Sequence, residues 1–341
     1  MKAAVLREAG RLGPETVARP VIGQGDLLLR LRGCGLCGSD IAKIGAAATK
    51  VPVVLGHEVV GDVVEVGAGL SGSSSAAFAV GERVVSAHHV PCGVCHYCLR
   101  GSESMCAAFK TSNLDPGGFA EYVRVPAVNV RHATFKIPAH VSDEAASFIE
   151  PLACCARAVR RADVRPGDTA VVIGLGSIGC LFVQLARLAG ARVVGVDLLA
   201  ARGALGKRLG AEAAGAPEAM APLVRELSDD RGADHVIVTG GGTGVLPWAA
   251  RAVRDGGAVH YFAGGPGDHL PLPLETFYKR ELTLTTTYSS SPRDLQSAFA
   301  MIAEGEISTD ILISHRLPLD RLDEAVALMR RQEALKVFVT P

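Results

Sequence analysis

Four cysteines crowd into one short stretch and form the densest group of metal-binding side chains in the chain. The stretch "CGVCHYCLRGSESMC" places them at Cys92, Cys95, Cys98 and Cys106, with the spacing C-x2-C-x2-C-x7-C. Four thiolates at this spacing can close a tetrahedral shell around zinc and leave no open position for chemistry. An iron–sulfur cluster uses overlapping spacings. Because no redox partner site is visible in the sequence, ligand preferences favour zinc, in a structural role.

A second group of metal-binding side chains is scattered through the first half of the chain. It consists of Cys37 in "CGLCGSD", His57 and Glu58 in "VLGHEVVGDVVEVG", and Glu150 in "FIEPLA". One thiolate, one imidazole and two carboxylates suit a catalytic zinc that keeps one position open for water or substrate. Each residue alone also has a structural explanation, such as a loop histidine or a charge at a helix N-terminus.

Several other potential ligands near these groups are predicted not to bind metal. Cys34 lies three residues before Cys37 and has no partner once the other sites are filled, so we expect a small buried residue. His96 lies inside the four-cysteine stretch, where four thiolates already suffice. His88 and His89 are predicted to be surface residues.

A glycine-rich turn later in the chain has the pattern of a phosphate-binding loop. An apolar strand leads into G-x-G-x-x-G, then into the helix "IGCLFVQLARLAG" and the strand "RVVGVD". The first glycine permits a tight turn, the second lets backbone amides approach a pyrophosphate, and the third lets helix and strand pack closely. The helix N-terminus adds partial positive charge. The alternative is a helix-packing turn with no ligand.

An acidic residue at the end of the second strand, Asp197, favours NAD over NADP. A carboxylate there can accept hydrogen bonds from ribose hydroxyls and repel a 2′-phosphate. Arg202 lies just beyond and either covers the adenine or is a solvated helix residue. The predicted cofactor site comprises Gly174, Leu175, Gly176, Ser177, Ile178, Gly179, Asp197, Arg202, Thr239 and Gly240.

The elements that must position these residues differ between the two parts of the chain. Up to about residue 150, short β-type runs such as "DLLLRLRG" and "ERVVSA" are punctuated by Gly and Pro, which predicts an antiparallel, barrel-like β domain. After it, strands and helices alternate, which predicts a parallel sheet buried on both faces. "LSGSSSAAF" (70–78) is predicted to be a flexible surface loop. "VLPWAARAVRDGG" is predicted to be a helix between two strands of the sheet.

Composition excludes several classes of function. The chain has 341 residues, enough for about two domains, and Lys plus Arg equals Asp plus Glu at 35 each. No basic field exists to attract nucleic acid, so a nucleic-acid-binding zinc module is poorly supported. No signal peptide and no run of about 20 apolar residues is present, so we expect a cytoplasmic protein without a membrane partner. Nine cysteines in such a chain favour metal binding over disulfides.

These motifs, in this order, resemble those of the zinc-dependent medium-chain dehydrogenases over essentially the whole chain. "GHE" and "EPL" are similar to the sorbitol (polyol) and threonine dehydrogenase branch rather than the liver-alcohol-dehydrogenase branch, which has a second cysteine ligand. The resemblance implies a GroES-like β-barrel catalytic domain at residues 1–150 and 290–341, with a structural-zinc lobe at about 88–110. It implies a Rossmann NAD-binding domain at residues 151–289.

The resemblance also implies which residues hold two zinc ions per chain and how they act. Cys37 and His57 are direct ligands of the catalytic zinc, and Glu58 and Glu150 complete the shell, one of them through water or by exchange. The substrate hydroxyl binds this zinc and is deprotonated, and hydride passes to the nicotinamide. The hydroxyl of Ser39 accepts the alcohol proton and passes it toward the cofactor ribose. The family often places a histidine five residues after the zinc cysteine, where this chain has Ala42, so water, Asp40 and a further route remain alternative exits.

The implied substrate is a secondary alcohol of a polyol, sugar or cyclitol, and aminocyclitol or aminoglycoside biosynthetic dehydrogenases are a narrower hypothesis. Phe109, Thr111, Asn113 and Tyr288 are candidate substrate-facing residues, with loop connectors as the alternative. Threonine, amino-alcohol and simple-alcohol dehydrogenases are rivals within the enzymes. A non-catalytic nucleotide-binding redox sensor is the rival of another class. The family forms dimers and tetramers, often by joining Rossmann sheets edge to edge, and "PLPLETFYKRELTLTTTY" is the candidate edge.

Overall fold

The structure is a computed structural model that describes residues 1–69, 78–263, 269 and 274–341. It divides into two units. The first unit contains Met1–Ala153 and Ser290–Pro341, and the second contains Cys154–Ser289. Both ends of the chain therefore belong to the first unit, and the second unit is inserted between them.

Strands occur throughout both units. In chain order they are β1 (Lys2–Glu8), β2 (Arg11–Thr16), β3 (Leu27–Gly35), β4 (Val53–Val54), β5 (Glu58–Val66), β6 (Arg83–Ser86), β7 (Tyr122–Val125), β8 (Thr134–Lys136), β9 (Thr169–Ile173), β10 (Arg192–Val196), β11 (Ala213–Gly215), β12 (Ala233–Val238), β13 (Val253–Tyr261), β14 (Thr283–Thr286), β15 (His315–Pro318) and β16 (Val337–Thr340).

Most helices of the first unit are short, and most of the longer helices belong to the second unit. In chain order they are α1 (Gly38–Gly45), α2 (His96–Leu99), α3 (Ala107–Thr111), α4 (Ala127–Ala133), α5 (Asp143–Ser147), α6 (Ile149–Ala162), α7 (Ser177–Leu188), α8 (Ala200–Arg208), α9 (Pro217–Leu227), α10 (Leu246–Ala252), α11 (Leu274–Lys279), α12 (Pro292–Ala303) and α13 (Leu322–Arg330). None of the described helices is long and apolar enough to cross a membrane.

In the first unit, antiparallel pairing brings the site residues of distant segments to one place. Its main sheet has the order β15-β16-β3-β5-β6-β8, with β7 also paired to β3. Strand β3 alternates buried leucines with exposed arginines. Arg30 lies opposite Asp62 of β5, and Arg30 Nη2 is 3.1 Å from Asp62 Oδ2. Such a cross-strand ion pair and an apolar inner face help to fix the register.

The second unit contains a parallel sheet with the strand order β11-β10-β9-β12-β13-β14. Counted from β9 as the first strand, this is the order 3-2-1-4-5-6 of dinucleotide-binding folds. Strand β9 is buried along its whole length because helices cover both faces of the sheet. The predicted parallel sheet is therefore confirmed.

One local prediction was wrong, and another falls almost entirely outside the described residues. The predicted surface loop at 70–78 lies outside the described residues except for Phe78, which is buried in the core of the first unit because its ring is apolar. The predicted helix "VLPWAARAVRDGG" ends early, since α10 stops at Ala252 and β13 begins at Val253. Strand β13 starts there because Val253 pairs with Ala233 of β12.

Candidate active site

The three residues Cys37, His57 and Glu58 are brought together by the register of two strands. Strand β3 pairs with β5 so that Gly35 lies opposite Glu58. The chain leaves β3 two residues later at Cys37, where α1 begins, and His57 immediately precedes β5. Ligand atoms of the three side chains all lie within 4.8 Å of one another. Residues about 20 positions apart in sequence thus form one donor cluster.

His57 is held in place by Asp40, which is fully buried in α1. Its Nδ1 lies 3.3 Å from Asp40 Oδ1, which also accepts from the Gly56 amide, while Oδ2 accepts from the Cys37 amide. Burial opposes protonation of His57, but the Asp40 carboxylate outweighs it and raises the pKa of His57 well above its usual range. Since Nδ1 faces Asp40, Nε2 is the nitrogen left for a metal, as is common for metal-binding histidines.

Glu58 forms a buried ion pair with Lys336, the residue just before β16. Lys336 Nζ donates to Glu58 Oε1 at 2.6 Å and lies 2.5 Å from Oε2, and the two residues are only 2% and 1% exposed. A Cβ at Gly35 would lie 1.8 Å from Glu58 Oε2 and 3.1 Å from Lys336 Cε. Glycine at position 35 therefore leaves the space that the pair occupies.

Glu150 and Ser39, the other residues predicted at this site, are placed differently. Glu150 lies in the first turn of α6, is 7% exposed and is outside the cluster formed by Cys37, His57 and Glu58. Ser39 is exposed at the second position of α1, two residues after Cys37. The structure thus brings together three of the four predicted catalytic-zinc ligands.

His88 and His89 are not the surface residues that the sequence predicted. Because they follow β6, which pairs with β5, their rings are partly buried beside the cluster. The ring centroid of His88 lies 4.6 Å from that of His57 and 3.8 Å from that of His89. Burial, and next the charge of His57, lowers the pKa of His88 well below its usual range, and burial lowers the pKa of His89 to about 4.

The candidate substrate-facing residues divide between core and surface. Phe109 is fully buried and packs against His89 with a centroid distance of 4.8 Å. The Thr111 hydroxyl donates to the Ala107 carbonyl of its own helix, and Asn113 Oδ1 accepts from the Leu114 amide. Tyr288, which belongs to the second unit, is exposed. Phe109, Thr111 and Asn113 therefore have structural contacts of their own.

The four-cysteine lobe has the geometry of a closed metal site. All four sulfur atoms lie within 4.8 Å of one another, and the sulfurs of Cys95 and Cys98 are 3.5 Å apart. Thiolates at tetrahedral corners around zinc are about 3.8 Å apart, given Zn–S bonds of about 2.3 Å. The Cys92 amide donates to Cys106 and is the main cause that lowers the pKa of Cys106 to about 6, whereas burial is the main cause that raises the pKa of Cys98 to about 12.

Each of the three motif glycines of the second unit meets a different structural requirement of the loop. Gly174 has a positive φ of 88°, and a Cβ at Gly179 would lie 1.8 Å from the Gly174 carbonyl oxygen. A Cβ at Gly176 would meet nothing within 4 Å, so the space in front of its backbone is open. An open approach to the second glycine is what a pyrophosphate requires. The loop therefore fits a dinucleotide.

The Asp197 carboxylate has more partners within the protein than the sequence suggested. Its Oδ2 accepts from the Leu175 amide at 2.8 Å and its Oδ1 from the Leu199 amide at 2.9 Å, and Arg202 Nη1 lies 3.8 Å from Oδ2. The Thr239 hydroxyl donates to the Gly174 carbonyl at 2.7 Å and thereby ties the end of β12 to the glycine turn. Each carboxylate oxygen has a second lone pair, so ribose hydroxyls can still be bound.

Three residues of the site were missed by the sequence analysis. Asp40 was considered only as a proton exit, Lys336 was not considered, and His88 was assigned to the surface. A signal existed for Asp40, since it lies one turn from Cys37 on the same helix. Lys336 lies 278 residues from Glu58, and a single sequence carries no sign of such a pairing.

The first unit contains both donor clusters, and the second contains the glycine-rich loop of a dinucleotide-binding fold. A model described as an alcohol dehydrogenase GroES-like domain matches residues 23–139, and one described as a zinc-binding dehydrogenase matches residues 177–304. The chain belongs to the zinc-dependent medium-chain dehydrogenase family, in its polyol- and threonine-dehydrogenase-like branch. The predicted fold class is confirmed, and the protein is an oxidoreductase that uses zinc and a nicotinamide cofactor.

Relatives and solved structures cover nearly the whole chain. The sorbitol dehydrogenase of Halalkalibacterium halodurans is 30% identical, over 100% of this chain and 99% of that protein. The L-galactonate-5-dehydrogenase of Escherichia coli is 30% identical, over 95% and 94%. An alcohol dehydrogenase from Thermus sp. ATN1 superposes with a TM-score of 0.87 at 30% identity, covering 100% of each chain. A candidate zinc-binding dehydrogenase from Sinorhizobium meliloti 1021, bound to NADP, has a TM-score of 0.85 at 31% identity, over 100% and 99%.

Proposed function

We propose that this enzyme oxidises a secondary alcohol of a polyol, sugar or cyclitol to a ketone with NAD. The cluster of Cys37, His57 and Glu58 is the observation that carries the proposal, because its mixed donors leave room for a substrate oxygen. Sorbitol and L-galactonate, named for the two relatives above, are both polyhydroxylated, which supports a substrate of that class.

We propose that Cys37 and His57 bind the catalytic zinc directly, with Glu58 and Glu150 as the exchanging carboxylates, and that the four-cysteine lobe holds a second, structural zinc. When bound, the catalytic zinc lowers the pKa of an alcohol oxygen. Asp40 orients His57 through Nδ1. The exposed Ser39 hydroxyl accepts the alcohol proton and passes it toward the cofactor ribose, and the proton then leaves to water. Water is favoured over Asp40 as the exit because both Asp40 oxygens are engaged and buried.

The preference for NAD rests on Asp197. Its negative charge lies at the end of β10, where the ribose of a dinucleotide binds in this fold, and a 2′-phosphate would be repelled. Arg202 lies within 3.8 Å of that carboxylate and offsets part of its charge. The dehydrogenase from Sinorhizobium meliloti 1021 is bound to NADP. The preference is therefore measured as the ratio of kcat/KM for NAD to that for NADP on the same preparation.

We further propose a cytoplasmic homodimer or homotetramer that joins through β14. This strand ends the described sheet of the second unit, and the apolar side chains of Leu274, Tyr278 and Tyr288 near it are exposed. An edge strand with unpaired backbone groups and apolar neighbours is suited to pairing with a second copy. Sedimentation of the purified protein measures the assembly.

The experiment that tests the proposed function is a cofactor-reduction screen on the zinc-loaded enzyme. It compares sorbitol, other polyols, cyclitols and aminoglycosides with threonine and simple secondary alcohols, using NAD and NADP in parallel. We expect the highest kcat/KM for a polyhydroxylated substrate with NAD. Threonine or a simple alcohol as the best substrate would favour the rival enzymes, and no turnover with two bound zinc ions would favour a non-catalytic protein.

A further inference from the structure

His88 is fixed beside the donor cluster by its backbone. It follows β6, whose Ser86 lies opposite Val59 of β5, two residues after His57. The side chain of the fully buried Asn129 donates to the carbonyl oxygens of Ala87 at 2.9 Å and of His88 at 3.0 Å. Because the backbone is held at two successive carbonyls, the His88 ring occupies a defined position 4.6 Å from the ring of His57.

The His88 ring differs from its neighbours in its hydrogen bonds. Its Nδ1 is enclosed and has no partner among the described residues. By contrast, His57 Nδ1 is paired with Asp40, and His89 Nδ1 lies 2.5 Å from the Ser112 carbonyl oxygen. Buried polar atoms in proteins usually have a partner, so an imidazole without one next to a reaction centre needs an explanation.

The missing partner determines where the ring carries its proton. A proton on the enclosed Nδ1 would leave a buried donor unsatisfied, at a cost of about 1–3 kcal/mol. Orphaned buried N–H groups are rarer in proteins than under-satisfied acceptors, so we assign the proton of the neutral ring to Nε2 and leave Nδ1 bare. His88 as a residue is partly exposed although its Nδ1 is enclosed, and no hydrogen bond joins its Nε2 to a described residue. Among the described residues, His88 Nε2–H is therefore a free hydrogen-bond donor on the ring that lies next to that of His57.

We propose that His88 Nε2–H donates a hydrogen bond to a second substrate hydroxyl, on the carbon next to the one that is oxidised. The reacting oxygen is held at the cluster of Cys37 and His57, so a neighbouring oxygen is the substrate group within reach of the adjacent ring. His88 is then a specificity-determining residue that selects vicinal diols over simple alcohols. This inference rests on the proposed oxidation of polyols.

The test compares 2,3-butanediol with 2-butanol, which differ by the one hydroxyl in question. His88→Phe keeps a ring and removes the donor, His88→Gln keeps a donor near the position of Nε2, and His132→Phe is a control at an exposed histidine of α4. In His88→Phe we expect kcat/KM for the diol to fall about three- to tenfold, as for loss of one hydrogen bond, with 2-butanol changed less than twofold. His88→Gln should recover part of the loss, and His132→Phe should match the wild type.

A binding measurement separates this inference from the proposed function. Dissociation constants of acetoin and butanone are measured by calorimetry on the NAD-saturated enzyme, with the zinc content of each variant checked. We expect His88→Phe to weaken acetoin selectively. Equal losses for both ligands, or unchanged acetoin binding at wild-type zinc content, would overturn the role of His88. A wild-type enzyme that oxidises no diol contradicts the proposed function, while the acetoin comparison still decides the role of His88.

Discussion

Lys336 supplies a buried positive charge to Glu58, the carboxylate of the donor cluster. An unpaired carboxylate buried at this depth would carry a large desolvation penalty, and the ammonium group of Lys336 offsets it. The same carboxylate has an oxygen within 4.8 Å of the donor atoms of Cys37 and His57. Glu58 therefore has two competing positive partners, the ammonium and the proposed metal.

This competition gives a prediction for Lys336→Met. In protein stripped of metal by a chelator, the unpaired Glu58 should lower the free energy of unfolding by about 3–5 kcal/mol, as for breaking a buried ion pair. With zinc bound the loss should be smaller, because the metal can take the carboxylate. Denaturant unfolding of both forms measures it, with the exposed Lys110→Met as control, expected within about 0.5 kcal/mol of wild type. Equal losses in both forms would contradict the competition.

Asp197 supports a second prediction at the scale of one residue. Asp197→Asn removes the charge but keeps an acceptor for the Leu175 or Leu199 amide, so the loop should persist. The ratio of kcat/KM for NAD to that for NADP should fall about tenfold, or ~1.4 kcal/mol, because repulsion of the 2′-phosphate is lost. The exposed Asp229→Asn is the control and should leave the ratio unchanged. An unchanged ratio in Asp197→Asn would count against the ribose-binding role.

At this scale, a site can be predicted from the sequence when its residues lie close together in the chain. The four-cysteine spacing, "GHE" and G-x-G-x-x-G each indicate a site within a few residues. The structure brings the four sulfur atoms together, places His57 and Glu58 near Cys37, and leaves open space at Gly176. Nothing in the local sequence marks Lys336 as a site residue. It reaches Glu58 only because β16 pairs with β3. His88 was assigned to the surface because its environment is set by the pairing of β6 with β5.

At the scale of elements, we expect the segment between Cys92 and Cys106 to depend on its proposed zinc more than on a core of its own. Its helix α2 has no buried residue, and Val94 and Leu99 are 77% and 76% exposed. The low apolar burial of this segment contributes little to folding, whereas a bound zinc would contribute folding free energy directly.

Cys98→Ser should therefore remove the lobe zinc and loosen the lobe. We expect about one zinc per chain instead of two, and faster proteolysis between Cys92 and Cys106, because the closed shell loses a ligand. His96→Ala, at an exposed residue of the same helix, should keep both zinc ions and the wild-type rate of proteolysis. A Cys98→Ser protein with full zinc content and unchanged proteolysis would show that the lobe is not a zinc site.

Strands β12 and β13 carry an unusual pair of buried histidines. His235 Nδ1 lies 3.1 Å from His260 Nε2, and His235 Nε2 lies 3.1 Å from Asp168 Oδ2. Burial, and next the charge of His235, lowers the pKa of His260 to about 4. The folded protein thus keeps His260 neutral at a pH where an unfolded chain would protonate it.

The expected consequence is acid sensitivity of the second unit. His260 protonates near pH 6.5 when unfolded and near pH 4 when folded, so stability falls as pH drops between these values, by up to about 1.4 kcal/mol per pH unit. His260→Gln keeps a hydrogen-bond partner for His235 and removes the titrating group. As the pH falls from 6.5 to 5, the free energy of unfolding of the variant should therefore rise relative to that of the wild type by about 2 kcal/mol. Amide hydrogen exchange in β12 and β13 measures it. Parallel pH profiles of the two proteins would refute the assignment.

At the scale of the whole molecule, chain order explains why the site was only partly predictable. Residues from both ends of the chain form the first unit, because β16 pairs with β3 although the second unit separates them in sequence. The alternation of strands and helices predicts the parallel sheet well, since each element is local. The closing contacts of the first unit join residues hundreds of positions apart, and hydrophobic patterning cannot specify them.

The central claim is that Cys37 binds a catalytic zinc, and its neighbour Cys34 offers a matched comparison. Cys34 is fully buried in β3 and outside the donor cluster, whereas Cys37 belongs to it. Zinc content and NAD reduction are measured on Cys37→Ala and Cys34→Ala. The account predicts about one zinc per chain and no turnover for Cys37→Ala, and about two zinc ions with turnover for Cys34→Ala. Two zinc ions and retained turnover in Cys37→Ala would contradict it.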